Sequence, residues 1–509
     1  MLRRFVTSSA IFILLLLQIA AYSLDYPASD RYDPSLYSVT VQSISSIDQL
    51  AATTGTHSTV PLKKTHMTFL NTQIAALINI YTKSNYTLQA SGYLFKGMGD
   101  NDPWNRLVVI ADGYDPGNQM HIDTIVSAPA SRLVFSTTPT EANYSLIGQG
   151  YDLLFVDVAN ATADVRTVAK IYLRMLEEAN QRSTGMSITA AGNSMGGVVA
   201  RLALLYAQQM GNGSKPLSIS KVKKLISIDG PQCGVSGLNI SFQKFVKEEA
   251  ADQYNLQLNT DAGRQLFYEH LEAGGPAEFN KFQQFMKSMG NYPIGVKKYA
   301  IANGNWTKPY TYTSAAYSVY INVDIDFYVP ACPFICSPIC YGKLKTFAAL
   351  YKKVTFSGND FEPGSSRDFV SEIDKKVYPI LTTANVFAKM ERTIFDLAGI
   401  TSASVTGCLA RIGKKSLSRT KPPADFQPTF IPITSVFDLN PSTPASLRNV
   451  NSLDILCRDK WTPFDKIYLT SLRNQHITFN AEYCTWILSA LKDPYVPEIL
   501  PIVNNVLNQ

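Results

Sequence analysis

The chain has 509 residues, 46% of them hydrophobic and 17% charged, with a formal net charge of +6. That is enough apolar material for a substantial core, in one large domain with insertions or in two to three domains. So mild a charge, with no block of five or more like charges, speaks against nucleic acid as a partner.

The first residues, "MLRRFVTSSAIFILLLLQIAAYS", set two arginines before an uncharged apolar run from Ala10 to Ala21 and end in small residues at Ala21 and Ser23. This is the pattern of a secretory signal peptide, residues 1–23, and the run is short for a membrane span. The expected destination is extracellular or lumenal. Six N-x-S/T sequons, at Asn85, Asn143, Asn160, Asn212, Asn239 and Asn305, fit a glycosylated secreted chain. So do seven cysteines, which in an oxidising compartment suggest some disulfides and at least one thiol left over. Three of them form the cluster "CPFICSPIC", with no histidine or acidic residue inside it, which points to a disulfide-bearing loop and away from zinc.

Residues 24–100 read as an N-terminal extension with one helical segment, "MTFLNTQIAALINIYTK". From 101 to 236 the texture is that of an alternating α/β core. "RLVVIADGYDP", "YDLLFVDV", "MSITAAG" and "VKKLISIDG" are buried strands, and "ADVRTVAKIYLRMLEEANQR" and the run from Met195 to Gln209 are helices. The alternation implies a parallel sheet covered on both faces. Residues 237–296 are polar, helical and aromatic-rich, and are expected to form a mobile cap whose Phe245 and Phe282, among others, could line an acyl pocket. A rigid packing layer is the competing expectation. A core strand returns at 297–305, a second, partly β-rich insertion occupies 306–425, and residues 426–509 complete the core.

The stretch Gly192-Asn193-Ser194-Met195-Gly196 sits where a β-type run becomes a helix-type run. In a nucleophile elbow the residues two places either side of the serine must be very small, and both are glycine here. An ordinary helix cap is the competing role for Ser194. A serine hydroxyl needs a base, and only His270 and His476 follow it in the chain. His270 lies in the cap-like "GRQLFYEHLEAG", where packing is the expected role. His476, between the β-type "KIYLTS" and the closing helix "AEYCTWILSALK", is the expected base. For the acid, Asp438 ends the run "TFIPITSVFD" and is preferred; Asp465, in "WTPFDKIY", competes with it. Met195, directly after the serine, and Gly113 or Tyr114, in the turn after a buried strand, are the expected amide donors to an oxyanion.

"GNSMGGVVAR" resembles the G-H-S-M-G-G-L-V-A-R elbow of many lipases, and "LISIDGPQCGVSG" is similar to their strand followed by T-P-H-x-G. The chain looks like the lipase and esterase branch of the α/β-hydrolase superfamily. It also resembles a group of poorly characterised secreted lipase-like proteins, through Asp112 to Pro116, Asn303-Gly304, Phe430 to Asp438, Pro463 to Asp465 and Asn474 to His476. The departures are Asn193 and Gln232, where the family commonly has histidine, and the absence of a D-G-x-V-P acid motif. The resemblance implies an α/β-hydrolase fold and a secreted serine esterase or lipase that takes an ester or lipid substrate, with transient contact to a membrane or lipid surface, and uses no cofactor or metal. A non-catalytic binding protein on the same scaffold and an acyltransferase with the same triad are the alternatives.

Overall fold

The structure, a computed structural model, describes residues 30–46, 49, 73–99, 101–116, 145–211, 217–236, 238–304, 306, 315–330, 338–356, 363–366, 409–421, 429–470, 476 and 481–494. The signal pattern, Cys332, Cys336, Cys408 and the sequons at Asn143, Asn212 and Asn305 lie outside these residues.

The centre is a nine-stranded sheet. Its strands in chain order are β1 (Tyr37–Ser43), β2 (Ile74–Thr82), β3 (Leu88–Phe95), β4 (Leu107–Ala111), β5 (Asp152–Val158), β6 (Ile188–Asn193), β7 (Val222–Ile228), β8 (Lys297–Ala302) and, late in the chain, β14 (Lys466–Leu469). Their spatial order is β1-β2-β3-β5-β4-β6-β7-β8-β14. From β5 onward neighbours run parallel; β1, β2, β3 and β5 pair antiparallel. The parallel strands are apolar on both sides because both sides are covered. Val109, Ala111, Leu154 and Val156 join one hydrophobic cluster with helices α1 (Val165–Arg182) and α2 (Met195–Met210). Val108, Leu153, Ile226 and Ile301 join a second cluster with helix α9 (Ala481–Lys492) on the opposite face. Asp164 starts α1 by accepting a hydrogen bond from the Arg166 amide at 2.8 Å.

The segment expected to be helical at its start contains a strand, β2. Ile74, Leu77, Ile78 and Tyr81 satisfy a helical repeat, but Ile74, Ala76, Ile78 and Ile80 satisfy a two-residue repeat equally well. Pairing on both edges, to β1 and β3, decides for the strand. The stretch read as an extension therefore supplies three strands of the central sheet.

Between β7 and β8 lie four helices, α3 (Ile240–Glu249), α4 (Ala251–Gln257), α5 (Asp261–Leu266) and α6 (Ala277–Ser288). Their aromatic side chains Phe242, Phe245, Tyr254, Phe267 and Phe282 are buried in the same cluster as α1 and α2. The layer is also bonded to the body: the Ala262 amide donates to the Thr162 carbonyl at 3.2 Å, and the Val165 amide to Gln265 Oε1 at 2.8 Å. These observations favour a packing layer over a mobile cap.

Beyond β8, strands β9 (Ala315–Pro330), β10 (Pro338–Phe356) and β12 (Leu409–Thr420) form a separate antiparallel sheet ordered β10-β9-β12. Its base is set into the body through buried Tyr317, Val319 and Val354. A short pair, β11 (Gly364–Ser366) with β13 (Thr429–Pro432), precedes helices α7 (Ile433–Val436) and α8 (Leu453–Arg458). Among the described cysteines, Cys233, Cys457 and Cys484 are free thiols, so the expectation of disulfides gains nothing from them.

If the helical layer packs and does not gate, Phe282→Ala lowers stability by about 3–5 kcal/mol, the usual cost of deleting a buried phenyl ring. Denaturant unfolding measures the loss, and a series of ester chain lengths should show unchanged relative preference.

Candidate active site

Three parallel strands deliver three side chains to one edge of the sheet. β6 ends at Asn193, which pairs in register with Ile228, the last residue of β7; Ser194 and Asp229 follow them. β14 lies on the far side of β8, and His476 comes after it in the chain.

Ser194 has φ +56 and ψ −131, a strained conformation for a residue with a side chain. It is held there by its amide, which donates to the Ile228 carbonyl at 2.9 Å, and by the tight packing of the glycines around it. A Cβ on Gly192 would lie 2.0 Å from the Gly196 backbone, and one on Gly196 would lie 2.5 Å from the Ala111 carbonyl oxygen. Only glycine fits at either place. Although Ser194 occupies the cap position of α2, its side chain makes no capping hydrogen bond. Its Oγ lies instead 2.8 Å from His476 Nε2.

The other imidazole nitrogen, Nδ1, is 2.6 Å from Asp229 Oδ2. A carboxylate oxygen accepts, so Nδ1 carries the proton, and Nε2 is left with a lone pair facing the Ser194 hydroxyl. Asp229 is itself fixed. Its backbone turns at φ +46, its amide donates to the Ile301 carbonyl at 2.7 Å, and its second oxygen, Oδ1, accepts from the Asn303 amide at 3.1 Å. The side chains of His476 and Asp229 are 7% and 1% exposed, so this pair is shielded from competing water. The Phe430 ring packs edge-on against the imidazole, 4.9 Å between centroids.

Neither carboxylate expected from sequence reaches His476; Asp229 takes that place. Asp465 immediately precedes β14, so it lies at the opposite end of the sheet, where it accepts from the Lys298 amide at 2.7 Å and pairs with the Lys298 ammonium at 3.4 Å. Asp438 does not end a core strand. The run "TFIPITSVFD" breaks at Pro432 into β13 and the one-turn helix α7, and Asp438 follows that helix. There it accepts from the Cys233 thiol at 2.7 Å and faces the buried Arg201 guanidinium at 3.8 Å. Burial, then the Asp438 carboxylate, pushes the Cys233 thiol well above its usual range.

Arg201 ties the surroundings together from α2. It donates to Gln232 Oε1 at 3.0 Å, in the loop after Asp229, to the Tyr292 hydroxyl at 3.0 Å and to the Asn291 carbonyl at 2.6 Å. Gln232 in turn donates to Ser227 Oγ at 2.8 Å, so the loop that carries Asp229 is braced against its own strand.

The loop after β4 carries Gly113 and Tyr114. Asp112, directly before them, is buried, and its titration is pushed well upward by burial and by the neighbouring Asp157 carboxylate. Met195 opens α2, in the first turn of which amides have no acceptor within the helix. His270 stands apart from the site, fully buried, its Nε2 3.0 Å from the Leu258 carbonyl and its Nδ1 accepting from the Glu272 amide at 3.2 Å.

No protein-family model matches the chain, and no curated protein matches it either. Solved structures with some likeness include a lipase of Bacillus licheniformis, BlEst2, at 16% identity and TM-score 0.27, covering 42% of this chain and 72% of that one. An acetyl xylan esterase from Paenibacillus sp. R4 is 14% identical at TM-score 0.25, covering 57% and 77%. Candida antarctica lipase A in its closed state is 10% identical at TM-score 0.28, covering 45% and 65%. Similarity at this level locates no residue. The α/β-hydrolase fold rests on the sheet order and on the strand, turn and helix around Ser194.

His270 yields a pH test. Both ring nitrogens are satisfied only in the neutral form, and burial lowers the ring's affinity for a proton below its ordinary 6.5. The unfolded chain then binds the extra proton first, so this group's contribution is complete above about pH 6.5 and is lost as pH falls below it. Thermal unfolding should show Tm declining from pH 7 to pH 5, with a flatter decline in His270→Asn.

Proposed function

We propose that the protein is a serine hydrolase that cleaves carboxylic esters through an acyl-enzyme on Ser194. The observation that carries this reading is the unbroken chain from Ser194 Oγ to His476 Nε2 and from His476 Nδ1 to Asp229 Oδ2, at 2.8 and 2.6 Å.

In the proposed reaction His476 Nε2 takes the hydroxyl proton as Ser194 Oγ bonds to the ester carbonyl carbon, and the carbonyl π pair moves onto oxygen. That oxyanion is stabilised by the Met195 amide and by an amide of the loop after β4, that of Gly113 or Tyr114. Collapse of the intermediate breaks the bond to the alcohol oxygen, which leaves with the proton held by His476. Water then repeats the sequence on the acyl-enzyme and releases the acid. Asp229 holds the imidazole in the required tautomer throughout. The substrate class is a carboxylic ester, including the ester of a lipid, and the N-terminal signal pattern supports action outside the cell or in a lumen.

Ser194→Ala should abolish ester hydrolysis and fluorophosphonate labelling, and His476→Ala should cost on the order of a thousandfold or more in kcat. Asp229→Asn should fall nearly as far, while Asp465→Asn stays within a few-fold of the starting enzyme. Asp438→Asn should chiefly lower Tm, since it removes a charge beside buried Arg201. Turnover of p-nitrophenyl esters measures the first four and thermal unfolding the fifth, and full activity in Ser194→Ala would overturn the reading.

A further inference from the structure

The described start of the loop after β4, residues 112–116, is tied to the helical layer through Tyr114. The Tyr114 hydroxyl lies 2.7 Å from the Gln257 carbonyl oxygen and 2.8 Å from Thr260 Oγ1. A carbonyl can only accept, so the phenol proton goes to Gln257, and Thr260 must donate to the phenol oxygen. Thr260 Oγ1 also accepts from the Gly263 amide at 3.0 Å as the cap of α5. The bonds therefore run in one direction, from Gly263 through Thr260 and Tyr114 to the last carbonyl of α4. Every donor and acceptor role in the chain is fixed.

The anchor at the far end is firm. α5 is bonded independently to the segment before α1, through Ala262 to Thr162, and to the first residue of α1, through Gln265 to the Val165 amide. The Phe267 ring meets the Tyr114 ring edge-on at 5.9 Å and stacks on His270 at 6.1 Å. At the near end, the same loop lies over the elbow: the Ala111 and Asp112 carbonyl oxygens are the atoms that a Cβ on Gly196 would strike. A shift of this loop would change the distance between its amides and the Ser194 oxygen.

We infer that Tyr114 is a positioning residue for the oxyanion site, its side-chain hydroxyl holding the loop after β4 at a fixed height above Ser194 by hydrogen bonds to Gln257 and Thr260. This rests on the ester-hydrolase reading. It assigns the helical layer a role in catalysis without movement: the layer is the fixed point from which the oxyanion amide is hung. Because the oxyanion develops only as the tetrahedral intermediate forms, a displaced donor lowers kcat and leaves ground-state binding nearly untouched.

The test compares Tyr114→Phe, Thr260→Ala, Thr260→Ser and the Tyr114→Phe/Thr260→Ala double variant of the full chain, with p-nitrophenyl butyrate as substrate and an alkyl boronic acid as mimic of the tetrahedral intermediate. Tyr114→Phe should lose about tenfold in kcat, with KM within about twofold and with boronate affinity falling in parallel with kcat. The double variant should be no slower than Tyr114→Phe, and Thr260→Ser should restore what Thr260→Ala loses. Melting curves identify any variant whose loss comes from unfolding. Unchanged kcat in Tyr114→Phe, or a loss confined to KM, would overturn the inference. If the unsubstituted protein neither turns over the ester nor reacts with fluorophosphonate, the ester-hydrolase reading fails first and takes this one with it.

Discussion

The arrangement depends on one imidazole held from both sides. His476 can face Ser194 with a lone pair only because Asp229 holds the proton on the opposite nitrogen, and Asp229 can do so only because β7 and β8 fix its backbone and its second oxygen. Adjacent parallel strands stand about 4.8 Å apart, so residues that follow paired strand ends are brought together before any side chain is chosen. Ser194 and Asp229 are such a pair, since Asn193 and Ile228 are in register. The sheet thus does most of the positioning, and the side chains span the remaining few ångströms.

Around this centre the molecule spends buried polarity to keep loops still. Arg201 is almost completely buried, a costly place for a charge unless every donor finds an acceptor. Gln232, Asn291 and Tyr292 supply the acceptors, and Asp438 supplies the opposing charge. The effect is to join the helix that begins after Ser194, the loop that carries Asp229 and the segment that leads into β8. Tyr114 does the equivalent for the loop after β4, linking it to α4 and α5. Both devices act on backbone position around Ser194, Asp229 and His476.

Much of this was legible in the sequence. The strands β4 to β8 announced themselves as short apolar runs, and Ser194 by the small residues forced on either side of a strained turn. His476 followed from its place between a β-type run and the last helix. Asp229 stands directly after a buried strand in "LISIDGPQCG", a position that the sequence displays without ranking it above Asp438. The run "TFIPITSVFD" offers Asp438 as a strand-end residue, but Pro432, which can donate no ladder hydrogen bond, ends the strand before it. Spatial order held the missing information: β7 neighbours β6, so its end faces Ser194, and the residue before β14 faces the opposite way. The helical reading near Ile74 failed for a related reason, since two periodicities fitted the same residues and only pairing with β1 and β3 chose between them.

The most direct measurement is a crystal structure of the protein after reaction with a fluorophosphonate. The account predicts phosphorus bonded to Ser194 Oγ, the phosphoryl oxygen turned to the amide of Met195 and to that of Gly113 or Tyr114, and His476 Nδ1 still bonded to Asp229. An adduct on another residue, or an imidazole that bonds to Asp438 or Asp465 in place of Asp229, would contradict it.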